Sequence, residues 1–313
     1  MTGIELSRSF YEQYGKPMLE TDFADIMPLL AVGFVGSGSE RFGFDDEISR
    51  DHDYEAGFSI FLPNEEKLDR RAAFLLERAY NKLPKEFMGV KRPLVSPVGG
   101  SRNGPVRIAD FYGAKVGSES GDLSVMQWLT IPDNALFEAT NGAVFYDGSG
   151  EFTAIREKLK NMPDDIRKKR LAGNLLVMAQ AGQYNFMRCV ERGEYEAAQL
   201  ACGEFVNAAF KVLFLLGGRY APYYKWAFHA LREFEDAETV SLVSDILLGG
   251  LNEYADAERK YDETELLCSK VIEKLKEQEL TKAICGDLEK HAYSVNDGIL
   301  DGEIRNYSIF ISV

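Results

Sequence analysis

Residues 35–43 read Val-Gly-Ser-Gly-Ser-Glu-Arg-Phe-Gly and residues 51–53 read Asp-His-Asp, and these two stretches decide the fold. The apolar run 29–35 that leads into them has the length of a buried strand. The small residues that follow let the backbone approach a ligand closely and present its N–H groups to an anion. Polar residues from Ser39 onward predict the start of a helix, where free amides also favour an anion. The first stretch is therefore typical of a phosphate-binding loop.

Asp51 and Asp53 form the second half of the pattern. On an extended strand, side chains two positions apart point to the same face. Mg²⁺ in proteins is typically held by one or two carboxylates together with substrate phosphates. The pair therefore predicts a site for Mg²⁺, or Mn²⁺ in its place, opposite the phosphate-binding loop. His52 has the opposite parity and is expected to point into the fold. The alternative is a solvated loop in a chain that has 50 acidic residues.

Together the two stretches resemble the motif of the nucleotidyltransferase superfamily that includes DNA polymerase β and the aminoglycoside and lincosamide nucleotidyltransferases. That motif is Gly-Ser, a short gap, and then Asp-x-Asp or Asp-x-Glu. Gly38-Ser39 followed by Asp51 and Asp53 fits it. Gly36-Ser37 is a second register, so the identity of the serine that meets the phosphate stays open. The resemblance implies an α/β (α+β) nucleotidyltransferase domain with a mixed sheet.

The same resemblance implies further groups around the metal. Members usually supply a third carboxylate from a later strand, and Asp110, in the predicted strand 106–113, is the candidate. It would complete the metal site or take the proton of the acceptor. Arg50 is expected to offset the charge of the two aspartates and to help hold the nucleotide.

A narrower resemblance joins the N-terminal motif to a segment far along the chain. The run from Gly36 to Asp53 looks like a bacterial branch of proteins with a domain of unknown function, and residues 219–226, Arg-Tyr-Ala-Pro-Tyr-Tyr-Lys-Trp, are similar to the same branch. In related antibiotic nucleotidyltransferases a helical domain lends groups to the triphosphate and the acceptor. The resemblance therefore implies that Lys225 binds phosphate and that Tyr224 stacks on a base or an acceptor. The alternative is a surface lysine among aromatic residues that pack in the core.

The pattern of the chain changes near residue 150. Before it, short apolar runs predict strands among helices; from Glu151 onward strand signals nearly vanish and helical periodicity dominates. We therefore expect a catalytic α/β domain over residues 1–150 and an all-α helical bundle that binds the acceptor over residues 151–313. A polar patch in the helical part is similar to a string in the narrower bacterial branch, and this resemblance implies candidate acceptor-site residues, namely Gln183, Tyr184, Asn185 and Arg188.

The composition limits which partners the protein is expected to bind and in which cell compartment it is expected to be found. The formal net charge is −14, whereas long nucleic acids and anionic membranes bind through an excess of Lys and Arg, so neither is an expected partner. The N-terminus lacks the apolar core of a signal peptide, and no apolar run approaches membrane-spanning length. The four cysteines show no C-x-x-C pairing, which speaks against zinc or a disulfide framework. These features predict a reduced, cytoplasmic protein, and the oligomeric state stays open.

The combined prediction is an enzyme that moves a nucleoside monophosphate, AMP from ATP or the equivalent from another nucleoside triphosphate, to a hydroxyl of a small-molecule or protein acceptor. Metal held by the aspartates would bridge the phosphates. Ser39 or Ser37, with the amides around Gly38, would hold the β- and γ-phosphates. The alternative from another class is a nucleotide-binding regulator or antitoxin-like module without turnover.

Overall fold

The structure, a computed structural model, describes residues 1–50, 54–92 and 103–313, with the Arg50 side chain outside the described part. The predicted metal ligands Asp51 and Asp53 and the predicted role of the Arg50 side chain therefore lie outside the described residues. The chain divides into two compact units. The first unit combines Met1–Leu123 with Ala135–Asn161, and the second combines Ser124–Asn134 with Met162–Val313.

The first unit is a small sheet with helices around it. Up to residue 161 the elements are α1 (Gly3–Phe10), α2 (Lys16–Asp22), β1 (Ala31–Phe34), α3 (Ser39–Phe42), β2 (Ser59–Leu62), α4 (Arg70–Lys82), β3 (Glu86–Phe87), β4 (Val90–Lys91), β5 (Gly104–Arg107), α5 (Ile108–Val116), α6 (Val125–Thr130), α7 (Asp133–Thr140), β6 (Ala143–Asp147) and α8 (Glu151–Lys160). Of these, α6 and the first two residues of α7 belong to the second unit.

Four strands form a mixed sheet in the order β5-β2-β1-β6. β1 is antiparallel to both of its neighbours, β2 and β6, while β2 runs parallel to β5. Every residue of β1 and β2 is buried. Strands that are covered on both faces read as continuous apolar runs, which explains the unbroken run at 29–35. The predicted mixed α/β fold with a mixed sheet is confirmed.

The N-terminal helix continues past Pro17, although a proline after a helical pattern usually predicts the end of the helix. A π-helical turn over Tyr11–Gly15 lies between α1 and α2, and the N–H of Lys16 donates to the carbonyl of Tyr11. Proline has no N–H to donate. It is tolerated in the first turn of a helix, where an N–H would lack an intrahelical partner in any case. The early position of Pro17 in α2, directly after the π-turn, therefore lets the helical segment run on to Asp22.

The strand predicted for residues 106–113 is wrong beyond Arg107. β5 ends at Arg107, and α5 begins at Ile108. Ile108, Tyr112 and Val116 are the buried residues of this segment, a spacing of four that belongs to one face of a helix and not to a strand. Asp110 consequently lies in the first turn of a helix.

The second unit, all of whose residues the structure describes, contains helices and their connections. After α6 these are α9 (Asp164–Met178), a π-helical turn (Ala179–Phe186), α10 (Met187–Glu191), α11 (Tyr195–Leu216), a 3₁₀ turn (Tyr224–Trp226), α12 (Ala227–Leu231), α13 (Ala237–Leu248), α14 (Tyr254–Glu277), α15 (Leu288–Asp297) and α16 (Gly302–Asn306). α9 packs against α11 and α15, and α13 packs against α14.

α11 is the apolar centre of this unit. Among the described residues it is long and apolar enough to cross a membrane, so the expectation that no apolar run reaches that length is wrong. Of the most apolar 18-residue window of α11, however, 56% is buried inside the protein. The apolarity of α11 is therefore accounted for by a core position among the neighbouring helices.

Candidate functional site

The Gly-Ser loop leaves β1 after Phe34 and leads into the one-turn helix α3. Gly36 and Gly38 have φ values of +107° and +124°, a region that residues with a Cβ rarely adopt. The glycines thus make the bends, and Ser37 stands exposed between them. The helix start predicted at Ser39 is confirmed, but α3 has only four residues. So short a helix has a small dipole, and anion binding here must depend on loop amides and side chains.

Asn141 holds this loop in place. Its side chain accepts from the N–H of Gly36 at 2.8 Å and donates to the Gly36 carbonyl at 2.7 Å, so it engages both backbone groups of that glycine. Arg156 in α8 supports the clamp, because its guanidinium donates to the carbonyls of Asn141 at 2.5 Å and Gly142 at 3.0 Å. Burial lowers the pKa of Arg156. The conformation of the loop is therefore fixed by side chains that are distant in sequence.

Lys115 brings positive charge to the loop. Its ammonium group donates to the Ser37 hydroxyl and to the Glu138 carboxylate, and the Ser37 hydroxyl donates to Glu138 Oε2 at 2.5 Å. The side chains of Lys115 and Glu138 are 22% and 18% exposed, so the pair is shielded but reachable from solvent. A lysine ammonium is a compact point charge that binds phosphate well. The exposed serine of the loop therefore lies beside a lysine ammonium whose charge Glu138 balances.

Arg41, which lies in α3 directly after the loop, makes its contacts in the interior of the unit. Its guanidinium donates to the carbonyl of Val35 at 2.5 Å and to Asn103 Oδ1 at 2.9 Å, and lies 4.5 Å from the centre of the Phe34 ring. Asn103 in turn donates to Glu55 at 2.7 Å. The buried Arg41 therefore braces the end of β1 and connects it to the segment that follows the Asp-x-Asp pair.

Of the three predicted metal ligands, the structure describes Asp110, which is exposed in the first turn of α5. Across residues 1–50, 54–92 and 103–313, no group of three or more His, Cys, Asp or Glu side chains is placed to hold a metal ion. The described residues alone do not make a metal centre. The predicted centre therefore depends on Asp51 and Asp53.

In the second unit, the segment 219–226 leaves several side chains at the surface. Lys225 is exposed in the 3₁₀ turn, with its Nζ 5.5 Å from the centre of the Trp226 ring. Tyr224 is 76% exposed, and its ring centre lies 4.3 Å from that of Tyr223. For these two aromatic side chains the predicted alternative of core packing is wrong. The predicted contacts of Lys225 and Tyr224 with a nucleotide stay predictions.

The polar patch predicted at residues 183–188 divides into two parts. Gln183 joins elements, because its amide donates to Glu265 and to the Gly286 carbonyl and accepts from the N–H of Leu288. Tyr184, Asn185 and Arg188 stay at the surface, and the Arg188 guanidinium lies 4.5 Å from the centre of the Tyr184 ring. Gln183 therefore has a structural role, and acceptor binding by the patch stays a prediction.

Sequence reasoning missed the residues that hold and charge the loop, which are Lys115, Glu138, Asn141 and Arg156. They come from α5, α7, α8 and the turn before β6, so no local spacing connects them with residues 36–39. One signal was present: Asn141-Gly142 directly before an apolar run is a turn pattern. That pattern indicates a bend but not the partner of the asparagine side chain.

Comparisons with known proteins add a family match and a structural neighbour. The model of a domain of unknown function, DUF4037, matches residues 128–227, a segment from α6 to the start of α12 that does not include the Gly-Ser loop. No curated protein matches the chain. The crystal structure of a nucleotidyltransferase-like protein from Exiguobacterium sibiricum 255-15 is similar over 96% of this chain and 87% of that chain, at 11% sequence identity and a TM-score of 0.40. So distant a likeness assigns no activity, and a function must be argued from the residues.

Proposed function

We propose that the protein is a nucleotidyltransferase that moves a nucleoside monophosphate, AMP from ATP, to a hydroxyl of an acceptor. The observation that carries the proposal is the Gly-Ser loop at the end of a buried strand, with Lys115 bonded to Ser37. The loop is followed in sequence by Asp51 and Asp53. A phosphate-binding loop, a nearby cation and two carboxylates of one parity are the groups that this chemistry requires.

Phosphate binding is the task of the loop and its lysine. Lys115 neutralises part of the triphosphate charge, and Ser37 or Ser39 donates a hydroxyl hydrogen bond to a phosphate oxygen. Glu138 positions the ammonium group beside Ser37 until the nucleotide arrives. A phosphate oxygen then replaces one of the two oxygens that Lys115 contacts. The glycine bends let loop amides reach the same phosphates without the obstruction of a Cβ.

In the proposed reaction the acceptor oxygen attacks the α-phosphorus of ATP. The new P–O bond forms as the bond from that phosphorus to the bridging oxygen breaks, and pyrophosphate leaves with the electron pair. Asp110, which is exposed and therefore accessible, is the proposed base for the acceptor proton. Mg²⁺ or Mn²⁺ held by Asp51 and Asp53 would neutralise charge on the phosphates and on the leaving group. Arg50, Gly38, Lys225 and Tyr224 belong to the proposed nucleotide site on the strength of the sequence alone.

The test is the release of pyrophosphate from ATP and Mg²⁺ in the presence of hydroxyl-bearing small molecules and candidate protein acceptors. The parent protein is compared with Asp53→Asn and with Asp25→Asn, a matched control at an exposed position in the same unit. We expect Asp53→Asn to abolish release and Asp25→Asn to keep it. Full Mg²⁺-dependent release by Asp53→Asn would show that the assigned site is wrong. Nucleotide binding without release under every acceptor would favour a regulatory module instead.

A further inference from the structure

A cavity of about 670 Å³ lies within the second unit, between the connection from α6 to α7, one face of α11 and the segment before α12. Pockets for small organic molecules span about 300–1,000 Å³. Apart from Phe228, Leu247 and Ile311–Val313, every residue that lines it falls inside the segment matched by the family model. The matched segment therefore builds most of this cavity.

Three charged side chains line the cavity, and one of them, Lys211, has no ion-pair partner among the described residues. Arg170 is occupied by the wall itself, because it donates to the Ile131 carbonyl at 3.3 Å and to Asp133 at 2.9 Å. Lys211 is near enough to Asp133 to affect that carboxyl electrostatically. Within the described part of the chain, however, Lys211 forms no ion pair shorter than 4 Å. Since Arg170 already pairs with Asp133, the Lys211 ammonium is left to meet an anionic group of a ligand.

Aromatic rings supply much of the remaining wall. Phe210 and Phe228 meet edge to face with ring centres 4.8 Å apart. Tyr223 and Tyr224 stand at the mouth and are both exposed. Exposed rings beside a cavity offer flat apolar surface for a planar ligand, and their hydroxyls can remain in water.

Gly203 lies on the cavity wall at a position where a larger residue would reduce the cavity volume. It lies inside α11, where glycine is less favourable than alanine by about 1 kcal/mol. No atom lies within 4 Å of the point that a Cβ would occupy, so packing does not require glycine here. Gly203 lines the cavity four residues before Asn207 and eight before Lys211, on one face of the helix. An unfavourable residue without a steric reason, on the wall of a cavity, is what a bound ligand would explain.

We propose that this cavity binds a small molecule that combines a flat ring with an anionic group, such as a carboxylate or a phosphate. The ring lies against Phe210, Tyr223 and Tyr224, and the anionic group meets the Lys211 ammonium. Asn207 donates a further hydrogen bond from the same helix face. The proposal does not depend on nucleotidyl transfer, because its anion contact is Lys211, which the proposed nucleotide site does not use; the two proposals share Tyr224 alone.

The experiment uses three probes with the same ring: 2-naphthoate, 2-naphthylmethanol and 2-naphthylmethylammonium. Each is titrated into the full-length parent by calorimetry, with ligand-observed NMR at higher concentrations. Because a hydrogen bond to a charged group is worth about 1.5–3 kcal/mol, naphthoate should bind roughly tenfold or more tightly than the alcohol. The ammonium probe should bind most weakly.

Two variants locate the binding, and one controls it. Lys211→Met should remove the preference for the anion, while Lys282→Met, at an exposed lysine outside the cavity, should keep it. Gly203→Leu sends a side chain into the cavity from a position where its Cβ has nothing beyond its own helix backbone within 4 Å, so it should abolish binding of all three probes and keep the thermal midpoint of the parent or raise it.

Three results would overturn the proposal. They are a preference for the ammonium probe, an anion preference that survives Lys211→Met, and the absence of binding up to millimolar concentrations in a folded parent.

Discussion

The Gly-Ser loop of the first unit and the segment 219–226 of the second are both singled out by sequence, yet they are built in opposite ways. The loop has its backbone held from outside by Asn141, with Arg156 behind it. The segment 219–226 instead places Tyr223, Tyr224 and Lys225 at the surface. Changes around the loop should therefore affect stability and binding together, whereas changes in the segment should affect binding alone.

The largest effect is expected for Arg156→Met. The change removes the donor to the carbonyls of Asn141 and Gly142, and because a buried polar group left unsatisfied costs about 1–3 kcal/mol, the free energy of unfolding should fall by roughly 2–4 kcal/mol. Urea unfolding measures it. Arg71→Met, at an exposed arginine of the same unit, is the control and should change the value by less than about 0.5 kcal/mol. Equal small losses in both variants would mean that the clamp does not hold the loop.

Asn141→Ala should lower the free energy of unfolding by less than Arg156→Met does. It also tests whether the Gly-Ser loop binds phosphate. Two hydrogen bonds to Gly36 disappear, and we expect about 1–3 kcal/mol of lost stability together with weaker binding of ATP and Mg²⁺. Unfolding and calorimetric titration of the same preparation give both numbers, with Asn81→Ala at an exposed position as the control. Lost stability with unchanged ATP affinity would separate the loop from phosphate binding.

Tyr224→Ala examines the other side of the comparison. Since its side chain is 76% exposed, the free energy of unfolding should change by no more than about 0.5 kcal/mol. A ring contact with a ligand is worth about 0.5–1.5 kcal/mol, so the affinity for 2-naphthoate should fall roughly two- to tenfold. A loss of stability as large as that of Asn141→Ala would remove the contrast between the two regions.

The smallest effect is a difference in pH dependence within the second unit. Burial raises the pKa of Asp133, against the opposing influence of Arg170 and Lys211. The N–H of Thr239 lowers the pKa of Asp236, the N-cap of α13. The folded state therefore holds the proton of Asp133 longer than the unfolded state does, and releases that of Asp236 earlier.

These opposite shifts predict opposite slopes. As the pH rises from the ordinary carboxyl value of 3.8 through the raised pKa, the parent should lose stability relative to Asp133→Asn. Between the lowered pKa and 3.8, the parent should instead gain stability relative to Asp236→Asn. Thermal unfolding across the acid range measures both differences. Slopes of the same sign in the two variants would contradict the assignment of the buried carboxyl.

Regular helices could be predicted because their signals are local. Apolar periodicity predicts helices at 151–160 and 237–248, and both are confirmed over these spans. The same periodicity predicts a helix at 280–290, and this prediction is wrong, since α15 runs from Leu288 to Asp297 and starts where Asp287 caps the N–H of Glu289. Leu280 and Ile284 have helical spacing, but Ile284 is 95% exposed. A spacing of four between apolar residues therefore does not fix a helix unless tertiary contacts cover both.

The candidate site was predictable only as far as its backbone. The positive φ angles of Gly36 and Gly38 follow from the glycines themselves. The partners of Ser37 do not, because Lys115 and Glu138 lie 78 and 101 residues away. Asp110 is the opposite case. The sequence predicts it on a strand, but the segment forms helix α5 because its apolar residues pack on one buried helical face. Contacts over such separations are set by how the elements pack, which periodicity does not encode.

The most direct test of the central claim, that the Gly-Ser loop and Lys115 bind the phosphates of a nucleotide, is a calorimetric titration with the α,β-methylene analogue of ATP and Mg²⁺. It compares the parent with Lys115→Met and with Lys158→Met, which removes an exposed lysine paired with Asp122 in the same unit.

Because a charged hydrogen bond is worth about 1.5–3 kcal/mol, Lys115→Met should bind the analogue roughly ten- to a hundredfold more weakly. Lys158→Met should match the parent, and adenosine, which lacks phosphates, should bind all three proteins equally. Parent-like affinity in a folded Lys115→Met protein would contradict the claim.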